Sequence, residues 1–164
     1  MSKGVDISIK KRISELKVDV LFCKKGHYNA AGIWNGVHYT LGIATAGLAA
    51  FIGVKNSTLS TGTIALLAMT VAALGAISTF LKPQEKAAQH KQSGDDFDYL
   101  LQQLSNFNEV EMLQGNDSDH TIGLKLLTDQ KTKLNKNALQ IPRLAYLKAK
   151  DGIEKGEAAY VEKI

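Results

Sequence analysis

Val37–Val54, VHYTLGIATAGLAAFIGV, and Leu59–Leu81, LSTGTIALLAMTVAALGAISTFL, are parted only by Lys55-Asn56-Ser57-Thr58, and their reading decides the fold. The first run holds 18 residues and the second 23, with no Asp, Glu, Lys or Arg in either. At the helical rise they span about 27 and about 34 Å, which brackets a hydrocarbon core of about 30 Å. So short a connector leaves an antiparallel hairpin that enters a membrane and returns on the same side. The competing reading is a buried helical hairpin in a soluble protein, since Thr45, Thr61, Thr63, Thr70, Ser78 and Thr79 dilute the runs. The charge map argues against it. No acidic residue occurs between Asp19 and Glu85, and Lys55 is the only Lys or Arg between Lys25 and Lys82. Hydroxyl side chains are tolerated in membrane helices because they bond back to the backbone.

The same charges orient the hairpin. Lys24, Lys25 and His27 precede the first run, Lys82, Lys86, His90 and Lys91 follow the second, and the connector has Lys55 alone. The positive-inside bias predicts both termini in the cytoplasm and a multi-pass protein of the inner (cell) membrane. Tyr28, Trp34 and Tyr39 suit an interfacial aromatic belt. The apolar run begins too late for a signal peptide and leads straight into a second one.

The expected fold is therefore an all-α membrane protein: a two-helix transmembrane hairpin with long cytoplasmic helical extensions. Residues 1–36 form a cytoplasmic helix leading into the membrane, 37–81 the hairpin, and 82–164 a cytoplasmic helical region. The 164 residues carry a net charge of +4, which suits contact with an anionic lipid bilayer. The single Cys23 excludes an internal disulfide.

Outside the runs, periodicity organises the chain. Apolar or small residues recur in steps of four and three at Ile9, Ile13, Leu16, Val20, Cys23, Ala30, Trp34, Val37 and Leu41, with His27 the one polar member. This seam reads as a helix from about Ser8 through Val54 that packs along one face, with Ile9, Ile13, Leu16 and Val20 as a candidate oligomer seam. Gly26, Gly32 and Gly36 mark a hinge or a close approach. Phe97, Leu100, Leu101, Leu104 and Phe107 give the spacing of a second amphipathic helix, from about Gln84 to Leu113 and loosened at Ser93-Gly94. Folded back, its stripe covers the Ile9–Val20 seam. Gly115 to Asp119 reads as a loop. Leu124, Leu127, Leu134 and Leu139 suggest a short helix ending before Pro142. Leu144, Leu147, Ile153 and Tyr160 suggest another, interrupted by Gly152 and Gly156.

Catalysis finds little support. His27, His38, His90 and His120 form no H-x-x-x-H pair, and the chain has no C-x-x-C and no Gly-rich phosphate loop. His38 is expected to hydrogen-bond a neighbouring helix, and Asp95, Asp96 and Asp98 to form a solvated helix face. No enzyme, cofactor, metal or nucleic-acid partner is expected. The Lys-rich third block lacks interleaved aromatics and is diluted by Asp129, Asp151 and Glu154. The apolar runs instead offer small residues at helical spacing: Gly42, Ala46 and Gly53 in the first, Ala65, Ala68, Ala72 and Gly75 in the second. Such stripes let backbones approach closely in lipid. They either zip one hairpin shut or join protomers into a homo-oligomer, in which Thr45 and Thr70 would line a narrow polar path.

The stretches His27-Tyr28-Asn29-Ala30-Ala31, Val37-His38-Tyr39-Thr40-Leu41-Gly42-Ile43 and Ser78-Thr79-Phe80-Leu81-Lys82-Pro83 resemble the SLATT domain. The resemblance extends over Ala87–Gly94 and from Ile141-Pro142-Arg143 to Gly156. SLATT proteins are two-span effectors associated with SMODS and SLOG domains in bacterial conflict systems. The resemblance implies a pore-forming membrane effector in antiviral defence and abortive infection. No SLOG or nucleotidyltransferase domain is fused within these residues, so the expected trigger is a separate sensor or nucleotide-signal protein, or a ligand of the cytoplasmic helices. A passive anchor for a soluble defence enzyme and a holin-like or transporter-accessory protein are the competing functions. The long cytoplasmic helices are superfluous for a holin.

Overall fold

The computed structural model describes residues 3–55, 57–112 and 117–157. Among these residues the fold is all-α. Helix α1 runs from Lys3 to Lys55, α2 from Thr61 to Leu81, and α3 from Pro83 to Asn106. A π-helical segment, Phe107–Glu111, extends α3. Then come α4, Asp117–Asn137, and α5, Arg143–Glu154.

Sequence chemistry explains the boundaries. Ser60 caps α2, its hydroxyl accepting the Thr63 N–H at 3.2 Å. The break between α2 and α3 falls on one residue. Pro83 cannot donate a hydrogen bond and disfavours helical geometry in the residue before it. Lys82 ends the helix in the left-handed region common at helix C-termini, φ 46°, and its N–H closes α2 on the Ser78 carbonyl. Gly156, φ 81°, follows the end of α5.

Two compact units result: Met1–Ala30 with Gln89–Ile164, and Ala31–Ala88. In the first, Ile9, Ile13, Leu16, Val20 and Leu21 of α1 are buried with Phe97, Leu100, Leu101 and Leu104 of α3. Phe107 and Met112 complete this core, and Leu124, Leu127 and Leu134 of α4 and Ile153 of α5 pack against it. Helix α5 turns its small residues inward, burying Ala145, Ala149 and Gly152.

Several local readings are corrected. Helix α1 continues unbroken through Gly26, Gly32 and Gly36. A cost of about 1 kcal/mol per glycine does not interrupt so long a helix. Gly26 is instead a close approach, because a Cβ there would lie 2.9 Å from Ile141. Ser93-Gly94 does not loosen α3; a Cβ at Gly94 would meet the Tyr28 ring at 2.9 Å. The second amphipathic helix leaves α geometry at Phe107 rather than running regularly to Leu113, which lies outside the described residues. Of the loop expected at Gly115–Asp119, Asp117 to Asp119 are helical, and Gly115 and Asn116 lie outside the described residues. Helix α4 has 21 residues and stops at Asn137, before Leu139. Gly152 lies inside α5, where a Cβ would meet only the ends of the flexible Glu157 and Lys25 side chains.

Candidate functional site

In the unit Ala31–Ala88, α1 and α2 are both long and apolar enough to cross a membrane. No residue of either most apolar window is buried. Half-buried positions form one stripe per helix: Leu41, Ala44, Thr45, Leu48 and Ile52 on α1, and Ile64, Leu67, Val71, Leu74 and Ser78 on α2. A narrow seam of mostly large residues thus closes the hairpin. Around it, Ile43, Leu66, Met69 and Phe80 are 65 to 86% exposed.

The small residues singled out from the sequence fall mainly outside that seam. Gly42, Ala46 and Gly53 of α1 and Ala65, Ala68 and Ala72 of α2 are exposed, and Gly75 is half-buried. A Cβ added at Gly42, Gly53 or Gly75 would touch nothing within 4 Å. The stripes therefore do not zip this hairpin shut. The hydroxyls are turned back on their own helices: Thr45 donates to the Leu41 carbonyl at 2.8 Å and Thr70 to Leu66 at 3.0 Å. Trp34 lies beneath the Lys86 ammonium, 4.4 Å from its ring centre, in a cation–π contact.

In the other unit, Ile9, Ile13, Leu16 and Val20 are buried in the chain's own core, so this seam is filled by α3. His27 continues it. Its Nδ1 lies 3.0 Å from Nδ1 of His90, both residues are 2% exposed, and Phe97 stacks on the His27 ring. Two nitrogens so close share one proton, one ring donating and the other accepting. Burial, then the charge of His90, hold His27 down to about 4, and burial lowers His90 as well. The pair is neutral at neutral pH.

Polar ties flank the pair. Tyr28 donates to Asp95 at 2.8 Å, and the Lys24 ammonium lies 2.6 Å from Asp98. Burial first, then the Asp95 bond, push the Tyr28 phenol up to about 12, while that bond and Lys91 hold Asp95 below its usual range. Asp95 and Asp98 are thus tied to α1, whereas Asp96 accepts from Gln92 of its own helix at 3.0 Å. Among the described residues no group of three or more His, Cys, Asp and Glu is arranged to hold a metal ion. No protein-family model, curated protein or solved structure matches this chain.

The pairing of His27 with His90 is the feature that sequence reasoning missed. A signal was available. His27 lies ten residues before Val37 and His90 nine after Leu81. A tight hairpin between them returns the chain to the same level.

Proposed function

We propose that the chain is a two-span membrane effector of a bacterial anti-phage system, whose hairpins associate and permeabilise the inner membrane when a partner or nucleotide signal acts on the cytoplasmic helices. The observation that carries this reading is the uncovered hairpin: neither apolar window contains a buried residue. In water such a surface exceeds what soluble monomers ordinarily expose; in lipid it is the ordinary condition. With both termini cytoplasmic, Lys55 and Ser57 face the outside, and Trp34, Tyr39, Lys82 and Lys86 lie at the inner interface.

Association is supported by the outward small residues. Gly42, Gly53, Ala68 and Ala72 have no role in closing the hairpin seam, and small residues are what membrane helices use to approach one another. A trigger that binds one arrangement of the cytoplasmic helices better than another shifts the population by its differential affinity. The resemblance to SLATT proteins supplies the biological setting.

One observation favours the second reading, a passive anchor for a soluble defence enzyme. Thr45, Thr70 and Thr79 donate their hydroxyls to their own backbones, as isolated membrane helices do. Propidium iodide uptake and membrane potential separate the two, in cells expressing the chain alone and then with its genomic neighbours under phage challenge. The effector reading predicts triggered depolarisation that Gly42→Leu or Ala72→Leu abolishes while insertion persists. Intact membranes under every condition, with insertion confirmed, select the anchor.

A further inference from the structure

The π-helical segment Phe107–Glu111 extends α3 beside a cleft of about 300 Å³. Gln103 and Asn106 line it from α3, Phe107 from the π turn, and Gly123, Leu127 and Gln130 from α4. Its volume lies at the lower end of the range for small-molecule sites. Isolated π turns are uncommon and concentrate at functional positions.

Three features give the cleft a chemistry. The Gln103 Oε1 atom is buried and has no hydrogen-bond partner. Leaving a buried acceptor unmade costs about 1 to 3 kcal/mol, so it marks a position where an N–H or O–H is wanted. Asn106 and Gln130 add two further amides, each able to donate and accept. The lining contains no Asp, Glu, Lys or Arg. A charged group would find no oppositely charged side chain in that lining. The remaining surface is apolar and flat: Leu127, the Leu126 side chain and the Phe107 ring. Phe107 reaches its place only because residue 123 is glycine, since a Cβ there would fall within the ring's van der Waals envelope. His120 packs edge-on to the same ring, 2% exposed and with neither ring nitrogen bonded.

We infer that this cleft binds a small, neutral, planar molecule carrying an N–H donor: an aminoheterocycle or a carboxamide. Its donor meets Gln103 Oε1, Asn106 and Gln130 read the neighbouring ring or carbonyl atoms, and its plane lies against Leu127 and Phe107. The site lies wholly within the cytoplasmic-side helical unit and does not depend on how the hairpin functions.

Adenine and nicotinamide are suitable probes, with 9-methylpurine as the control lacking an N–H. Calorimetry and thermal unfolding of the full chain in detergent give the readout. Adenine, nicotinamide or both bind at millimolar concentration and raise the unfolding temperature, and 9-methylpurine does neither. Gln103→Leu leaves the unliganded unfolding temperature unchanged or higher, because the lost acceptor was unpartnered, yet weakens binding by about tenfold or more. Gln130→Leu, on the other wall, weakens it similarly and serves if the first variant fails to fold. Absence of binding by both probes overturns the inference. So does binding that 9-methylpurine matches, or that both variants retain at full strength.

Discussion

The bundle of Met1–Ala30 with Gln89–Ile164 and the hairpin of Ala31–Ala88 are built from the same long helix, α1, on opposite rules. In the bundle, large apolar side chains point inward and charged ones tie the helices at the rim. Lys24 meets Asp98, Lys25 meets Glu157 at 2.8 Å, and Lys131 meets Asp19 at 2.7 Å. In the hairpin, large side chains fill one thin seam and cover the outer surface as well, and no ion pair joins the two apolar runs. Glycines divide in the same way. Gly26, Gly94 and Gly123 of the bundle are each pressed by a neighbouring side chain, whereas Gly32, Gly42, Gly53 and Gly75 of the hairpin face open space. In the bundle these glycines record a close neighbour, and in the hairpin they do not.

The largest contrast lies in core truncation. Phe97 is fully buried, and Phe97→Ala should cost the bundle about 3 to 5 kcal/mol, read as a fall in its unfolding midpoint in detergent. Leu66 is 66% exposed on the hairpin, and Leu66→Ala should leave that midpoint unchanged. Equal losses would mean that the two regions share one core.

Acid should separate them next. The folded chain holds His27 near 4 against an ordinary 6.5. As pH falls, the unfolded chain therefore takes up this proton first. The contribution of neutral His27 is complete above pH 6.5 and is lost as pH falls through about 4, amounting to about 3 kcal/mol. Bundle stability measured across this interval should decline, and the double change His27→Leu with His90→Leu should flatten the decline. An unchanged slope would assign the acid sensitivity to other groups.

Glycine substitutions give the smallest effects and differ in sign. Gly94→Ala forces the Tyr28 ring aside and should destabilise by about 1 to 3 kcal/mol. Gly32→Ala meets nothing within 4 Å and should stabilise α1 by up to about 1 kcal/mol. Thermal unfolding of the two variants side by side reads the difference.

The apolar runs, the Ile9–Val20 seam and the Phe97–Phe107 stripe were legible because each is a periodic or charge-free pattern extending over several turns. What escaped is local or nonlocal in a way that periodicity does not encode. Asp117-Ser118-Asp119 carries the side chains of turns and of helix caps alike, and only the following contacts choose between them. Gly94 and Gly152 resemble breaks in a sequence, yet both lie inside helices, and at Gly94 the Tyr28 ring of a second helix comes close. The His27–His90 bond joins residues separated by the entire hairpin, and either histidine alone reads as a polar interruption. Outward and seam-facing small residues were likewise inseparable, because Gly42 and Ala44 differ only in the face of α1 on which they fall.

The central claim is that the hairpin spans a bilayer and the bundle stays on one side of it. Single cysteines at Ser57 and Gln102, in a Cys23→Ser background, test it directly with a membrane-impermeant maleimide. Ser57→Cys should label in intact cells with the outer membrane opened, and Gln102→Cys only after the inner membrane is broken. Protection of both cysteines until lysis, with the protein recovered in the soluble fraction, would contradict the account.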